Sequence, residues 1–566
     1  MFRKTAGETL VDLLIKWEVD HIYGMPGDSI NSIIEPLRKA QDKIKFIQVR
    51  HEEAGALAAA SYAKLTGKLG VCLAIAGPGA IHLLNGLYDA KLDRVPVLAI
   101  TGQVESDLLG TDFFQEVNLE RLFDDVAVYN QRIMSAEQLP AVVNQAIRTA
   151  YAKRGVAVLT VPDDIPTFEV GREALHTASL HVTPEIFPKQ DDLENALGVL
   201  NEARRPVILA GKGARHAREE LLAFAEKSAA PIVLSLPAKG TIPDEHPLCL
   251  GGLGLIGTRP AYHAMQTADT LIMVGTSFPF TGFLPEKAKT IQIDTDPTQI
   301  GKRYPVDVGL VGDSVKTLAW FTKRIGNQPD RSFLEKHQEM MKDWHDRLKK
   351  QEVQESIPLK PQSVIRALQK VTSENAVLSV DVGNVTVWVA RHFRMTNQQF
   401  IISSWLATLG CGLPGAIAAK IAYPDRQVFA ICGDGGFGMT MNDFVTAVKY
   451  ELPIVVVVLN NQKIAMIKFE QEVMGNLEFG TELTNPNFAK YAEACGGVGY
   501  RVKKPEELLP AFEQAVLQKK PCIIDVLVDP DEAPLPPKIT FSQASGYAKH
   551  MIKALFEEGK LDLPPL

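Results

Sequence analysis

Residues 431–461 concentrate the side chains best able to do chemistry. They read I-C-G-D-G-G-F-G, then a helical span, the apolar run 454–459 and Asn460-Asn461. The apolar run 428–432 has the composition of a buried strand and stops at Gly433-Asp434-Gly435-Gly436. Short apolar runs that end in glycine mark strand ends in parallel α/β sheets. Glycine there lets backbone N–H groups approach an anion that a side chain would hold away. Asp434 offers a hard oxygen at that point, and Asn461 offers a second from the end of the next strand. Two oxygen ligands beside a phosphate cradle are the donor set of a Mg²⁺ ion shared with phosphate groups. A second loop of small residues, Asp381-Val382-Gly383-Asn384, follows the apolar run 377–380 and reads as another anion loop. Near the start of the chain, Glu52 follows the run 45–49 and precedes an alanine-rich stretch, 54–63. An acid in that position either complements a helix dipole or handles a proton.

These residues need strand ends to hold them, and the pattern supplies strands throughout. Thr5 and Glu8 form a capping box ahead of a helix over 5–18, whose Leu10, Leu13, Leu14 and Trp17 make an apolar stripe. Strands are expected at 21–23, 45–49, 71–76 and 97–101, then at 206–210, 232–235, 270–274 and 290–293. Others fall at 377–380, 401–404, 428–432, 454–459 and 522–528, the last closing its sheet. Strand–helix alternation of this kind specifies an α/β protein of three doubly wound parallel-sheet domains, with sites at the carboxyl ends of the strands. The boundaries read 1–183, 190–330 and 355–533, with polar proline-containing linkers near 184–191 and 351–361, and a helical tail over 534–566.

The chain has 566 residues, too many for one core, with 46% hydrophobic and 22% charged residues, as in ordinary globular proteins. A net charge of −7 argues against nucleic acid as a partner. The six cysteines are scattered without a C-x-x-C pair, as expected of core thiols in a reducing compartment. No apolar run approaches the roughly 18 residues of a membrane span, and the first residues read as a helix rather than a signal peptide. The expected location is cytoplasmic.

G-D-G, twenty-odd residues and then N-N resembles the fingerprint of thiamine diphosphate enzymes. Y-G-M-P-G-D-S-I-N at 23–31, V-R-H-E-E-A-G-A at 49–56 and D-F-F-Q-E-V-N at 112–118 resemble the FAD- and thiamine-dependent pyruvate oxidases, including their quinone-linked branch, and the resemblance spans essentially the whole chain. It implies that Asp434, Asn461 and the backbone carbonyl of Lys463 hold Mg²⁺ on the cofactor diphosphate. Gly383, Asn384, Gly433, Gly435, Gly436 and Ile464 would surround that diphosphate, and Leu409 with Gly410 would wedge the cofactor into its bent shape. Glu52 would hydrogen-bond a pyrimidine nitrogen from an apolar slot suited to sharing a proton. Phe114, Gln115 and Glu470 would serve substrate and flavin as catalytic residues, and Met466 stands where phosphate-using members carry Phe.

For the middle domain the resemblance implies FAD. Its loops would be Gly211, Gly213, Ala214 and Arg215; Pro237, Ala238 and Lys239; and Gly254. Then come Gly275, Thr276, Ser277, Phe278, Pro279 and Phe280, followed by Asp294 and Asp296, and by Gly312 and Asp313. Gly211-x-Gly213 alone is an incomplete dinucleotide fingerprint, while Asp294 is the kind of strand-end acid that accepts a ribose hydroxyl. The implied reaction is oxidative decarboxylation of pyruvate to acetate or acetyl phosphate, with quinone, oxygen or phosphate as co-substrates, in a homotetramer. An acetolactate synthase-type carboligase is the alternative. In the tail, Tyr547, Met551 and Leu555 lie four residues apart, with Ile552 and Phe556 beside them and Gly559 as the cap, a stripe expected to dock on its own protein. Pro564 and Pro565 leave no room for a further amphipathic helix, so membrane contact is expected to be weak and peripheral.

Overall fold

In the computed structural model, which describes residues 4–170, 182–353, 355–534 and 541–558, the alternation becomes three six-stranded, all-parallel sheets. The first holds β1 (His21–Gly24), β2 (Lys45–Gln48), β3 (Gly70–Ala74), β4 (Val97–Gln103), β5 (Ala127–Arg132) and β6 (Val156–Pro162), in the order β2-β1-β3-β4-β6-β5. The second holds β7 (Pro206–Ala210), β8 (Ile232–Leu234), β9 (Cys249–Gly252), β10 (Thr270–Val274), β11 (Lys289–Asp294) and β12 (Val308–Val311), in the order β12-β11-β10-β7-β8-β9. The third holds β13 (Val377–Val380), β14 (Gln399–Ile401), β15 (Val428–Gly433), β16 (Val455–Asn460), β17 (Val498–Val502) and β18 (Cys522–Leu527), in the order β14-β13-β15-β16-β18-β17. Central strands such as β16 are buried along their whole length, which is why they read as unbroken apolar runs.

The orders carry functional information. Renumbered from their own first strands, the outer two sheets share one order, 2-1-3-4-6-5, while the middle sheet runs 3-2-1-4-5-6. The latter is the dinucleotide-binding order, in which a ligand lies across the point where the winding reverses. That point falls between β1 and β3, between β7 and β10, and between β13 and β15.

The outer sheets are packed together through small residues. Helix Glu52–Thr66 lies on helix Gly412–Ala422, and Ala56, Ala59, Ala63, Leu413, Ala416 and Ile417 belong to one core. Asp443 accepts the backbone N–H of Arg50 at 2.8 Å, and Tyr450 accepts that of Gln48 at 2.7 Å. A buried charge cluster joins all three sheets. Lys64 pairs with Asp89 and Asp93 at 2.6 Å each, Lys212 donates to the Asp93 carbonyl at 2.6 Å and Arg215 donates to the Phe400 carbonyl at 3.0 Å.

Two expectations need correction. β18 does not close its sheet, because β17 lies outside it. The strand expected at 401–404 is centred earlier, on β14, and residues 402–404 are already loop. The tail helix Phe541–Glu558 rests on its own chain: Lys553 donates to the Gly475 carbonyl at 2.8 Å and His550 to that of Asn476 at 2.7 Å, beside helix Ala465–Val473. Gly559 and the final prolines lie outside the described residues, as do the side chains of Ile552, Leu555 and Phe556. The cysteines are free thiols. Among the described residues, no helix is long and apolar enough to cross a membrane.

Candidate active site

At the switch point of the third sheet, β15 runs straight into a helix and β13 reaches one after the loop Asp381-Val382-Gly383. Helix Asn384–His392 starts behind Gly383 and helix Asp434–Thr440 behind Gly433, and neither has a side-chain cap. Their first N–H groups are therefore open to an anion. Gly383 has φ +117°, and nothing stands within 4 Å of where its Cβ would be. The Asn384 side-chain oxygen is buried without a partner. So is one oxygen of the fully buried Asp381; the other accepts N–H groups from Val382 at 2.8 Å and Gly410 at 2.9 Å. Burial pushes the Asp381 carboxyl up to about 6. A Cβ on Gly436 would stand 2.7 Å from the orphan oxygen, so that position takes glycine.

Asp434 is buried, and one of its oxygens accepts the Gln462 N–H at 2.7 Å and the Asn485 amide at 2.6 Å. Burial raises it, too, to about 6. The adjacent asparagines divide the work. Asn460 is core, donating to Asp525 at 2.9 Å and accepting from Asn485 at 3.1 Å. Asn461 is half-buried, and among the described residues its oxygen accepts only the Lys463 N–H, at 3.1 Å. The Lys463 amine is held by Glu478 at 2.6 Å, which leaves its backbone carbonyl as the group available to a cation. Ile464 stands over Gly435. Leu409 is half-buried ahead of Gly410, whose φ is +87° and whose carbonyl accepts from Thr440 at 2.9 Å. Uncapped helix starts, orphaned buried oxygens and hard oxygen donors fit a diphosphate with its cation. Asn485 is part of this cradle and was missed; it follows an irregular segment and no spacing connects it to Asp434.

The first sheet builds a second half-site at its own switch point. Glu52 opens helix Glu52–Thr66, and His51 caps it by accepting the Glu53 N–H at 3.3 Å. Glu52 is 8% exposed and meets His82 Nδ1 at 2.9 Å. The slot therefore combines a histidine with the apolar Ile75 and Ala74, which flank Gly79 beside Glu52. The loop bearing Phe114 and Gln115 comes over Gly77: Gln115 has φ +64°, and its carbonyl lies 2.9 Å from where a Gly77 Cβ would stand. Phe114 is 74% exposed, and Glu470 is exposed on helix Ala465–Val473 with Met466 half-buried. Among the described residues, no hydrogen bond or ion pair joins Glu52 to Asp434 or Asn461.

At the switch point of the middle sheet the loops after β7 and β10 touch. The Gly213 N–H donates to the Gly275 carbonyl at 3.1 Å, and a Cβ on Gly213 would stand 2.8 Å from Gly275 Cα. Ala214 is buried beside them, while Arg215 is turned to Phe400. Pro237 and Ala238 form one tight turn, and the Lys239 amine is buried against Asp244 at 2.6 Å. Gly254, at φ +102°, faces Phe278 and Phe280; Pro279 lies between these two, and Phe280 is exposed. The Thr276 carbonyl accepts from Gln292 at 3.0 Å, and Ser277 donates to Gln299 at 3.1 Å. Asp294 accepts the Asp296 N–H at 2.9 Å and is raised by burial, while Asp296 pairs with Arg94 at 2.9 Å. Gly312 packs on Pro188, and Asp313 caps helix Ser314–Arg324.

Three family models match the chain in order. The thiamine pyrophosphate enzyme N-terminal TPP binding domain matches residues 4–122, the central domain 193–320 and the C-terminal TPP binding domain 381–526. The chain is 55% identical to YdaP of Bacillus subtilis (strain 168), described only as a thiamine pyrophosphate-containing protein, over 100% of this chain and 99% of that one. It is 40% identical to a pyruvate oxidase of Lactiplantibacillus plantarum, over 94% and 89%. It is 34% identical to an acetolactate synthase large subunit of Corynebacterium glutamicum, over 94% and 87%. The chain belongs to the thiamine pyrophosphate enzymes, and within them to the pyruvate oxidase family.

Proposed function

We propose that the protein is a thiamine diphosphate- and FAD-dependent pyruvate oxidase, converting pyruvate, water or phosphate and an oxidised acceptor into CO₂, acetate or acetyl phosphate and the reduced acceptor. The observation that carries this reading is the middle sheet: its 3-2-1-4-5-6 order places two glycine loops at the reversal point, where a dinucleotide belongs. When bound, thiamine diphosphate supplies an electron sink for decarboxylation and FAD supplies a two-electron acceptor. The chain's part is to bind, orient and move protons. Asp434, Asn461 and the Lys463 carbonyl would hold Mg²⁺; the N–H groups behind Gly383 and Gly433 would take the diphosphate; Leu409 would prop the cofactor. Glu52 would exchange a proton with the pyrimidine ring, and Phe114, Gln115 and Glu470 would face the substrate.

The two half-sites each expose apolar side chains, Ile81, Phe113 and Phe114 on one and Met439 and Ile467 on the other. Such patches call for cover. A second copy of the chain, within a homotetramer, supplies it, so that the half-site of Glu52 in one copy faces the half-site of Asp434 in another. The enzyme works in the cytoplasm, with at most weak contact at the inner membrane face. The synthase-type relatives support a second reading, a carboligase with a non-redox or absent flavin. The test is pyruvate turnover with oxygen or a quinone, with and without phosphate, with the products identified. Stoichiometric acceptor reduction with acetate or acetyl phosphate supports the oxidase; acetolactate without acceptor reduction sinks it.

A further inference from the structure

The geometry points to His82 as a positioning residue that decides which oxygen of Glu52 is presented to the cofactor. This rests on the reading of Glu52 as the proton-exchanging acid. Two adjacent acids open helix Glu52–Thr66, and the structure separates them. Glu53 is held by the Asn85 amide at 2.5 Å, and that same amide reaches Thr408 in the loop after β14 at 2.9 Å. Glu52 turns the other way, and its Oε2 meets His82 Nδ1 at 2.9 Å. Its Oε1 lies beside Gly79, 3.1 Å from where a Cβ would stand, so the glycine keeps the space next to this oxygen open.

The imidazole is itself held. His82 stacks on His51, with ring centroids 4.4 Å apart and planes 28° from parallel. His51 cannot turn freely, because its Nδ1 accepts the Glu53 N–H as the helix cap. When Glu52 is ionised it only accepts, so His82 Nδ1 then carries the proton and donates it to Oε2. His82 thus occupies one oxygen and locks the carboxyl torsion, leaving Oε1 for the pyrimidine. Its side chain is 43% exposed, so replacing it does not open a cavity in the core. The same three groups, His51, Glu52 and His82, bring their donor atoms within 4.8 Å of one another, which shows how tightly the trio is drawn together.

The test is a double-mutant cycle between His82 and Glu52. The proteins are wild type, His82→Leu, His82→Asn, Glu52→Gln and the double variant His82→Leu/Glu52→Gln, each saturated with thiamine diphosphate and Mg²⁺ at its own measured affinity. The readout is the rate at which the bound cofactor's thiazolium proton exchanges with deuterium, without pyruvate. His82→Leu is expected to slow exchange on the order of tenfold, the size of one hydrogen bond to a charged group. His82→Asn is expected to retain most of the rate, because its amide nitrogen is as many bonds from the backbone as Nδ1. In the Glu52→Gln background, His82→Leu is expected to add less than about twofold. Wild-type exchange in His82→Leu overturns the proposal. So does the same loss in both backgrounds, which marks a general structural effect. Wild-type exchange in Glu52→Gln overturns the reading of Glu52, and the proposal falls with it.

Discussion

Replacing Asp434 separates its two tasks, because they use different oxygens. One oxygen takes both hydrogen bonds, from Gln462 and Asn485; the other is free to face a cation. Asp434→Asn can keep its amide oxygen on the two donors, so the fold is expected to persist with little change in thermal midpoint. What it loses is the negative charge. A unit charge about 4 Å from its partner is worth about 4 kcal/mol at the effective dielectric of a protein site, or roughly a thousandfold in Kd. Mg²⁺-dependent thiamine diphosphate binding, followed by fluorescence titration, should weaken to about that degree. Asp434→Ala removes both acceptors and leaves two donors unpaired, at about 1–3 kcal/mol each in folding stability. It should therefore show weak binding together with a lowered midpoint, and is the poorer probe of the metal. An Asp434→Asn protein that binds thiamine diphosphate as tightly as wild type, or loses affinity without regard to Mg²⁺, would refute the assignment.

Three further outcomes are expected. Glu52→Gln should bind both cofactors but lose about 10²–10⁴-fold in turnover, the usual worth of a positioned proton-transfer group; kcat with saturating cofactors checks it. Asp381 and Asp434 both sit at about 6 in the folded, metal-free protein, above their ordinary 3.8. The stability they contribute is fully present below about 4 and lost as pH rises through 6, roughly 3 kcal/mol for each group. Mg²⁺ needs the ionised form, so the gap in thermal midpoint between loaded and metal-free protein should widen from pH 5 to 7; a constant gap contradicts the assignment. Finally, the enzyme should reduce quinones or artificial acceptors and sediment only weakly with liposomes, more so with pyruvate present. Phosphate-dependent peroxide and acetyl phosphate formation with no lipid effect would reverse that preference.

The central strands and the chemical loops were legible in the sequence because burial on both faces makes β3, β4, β7, β10, β15 and β16 continuous apolar runs. The strands without a sequence signal are edges. β5, β9, β12 and β17 each pair on one side only, and β5, β12 and β17 are largely half-exposed, so they carry polar or glycine residues that break the pattern. β6 is different: its run is apolar but for Thr160 and fully buried, and the same criterion would have found it. Asp434, Asn461 and Glu52 announced themselves through glycine spacing and strand ends. The residues that hold them did not. Asn485 and His82 reach their partners across 51 and 30 residues of chain, and no local pattern encodes such contacts.

The most direct measurement of the central claim is the visible spectrum of the purified holoprotein mixed anaerobically with pyruvate. In an oxidase, the electron pair left by decarboxylation passes to the flavin; in a carboligase it stays in the product. The account predicts a yellow protein whose flavin bands bleach on adding pyruvate, only when thiamine diphosphate and Mg²⁺ are present, and return on admitting oxygen or a quinone. A flavin that stays oxidised while pyruvate is consumed, or a colourless protein that turns pyruvate over, would contradict it.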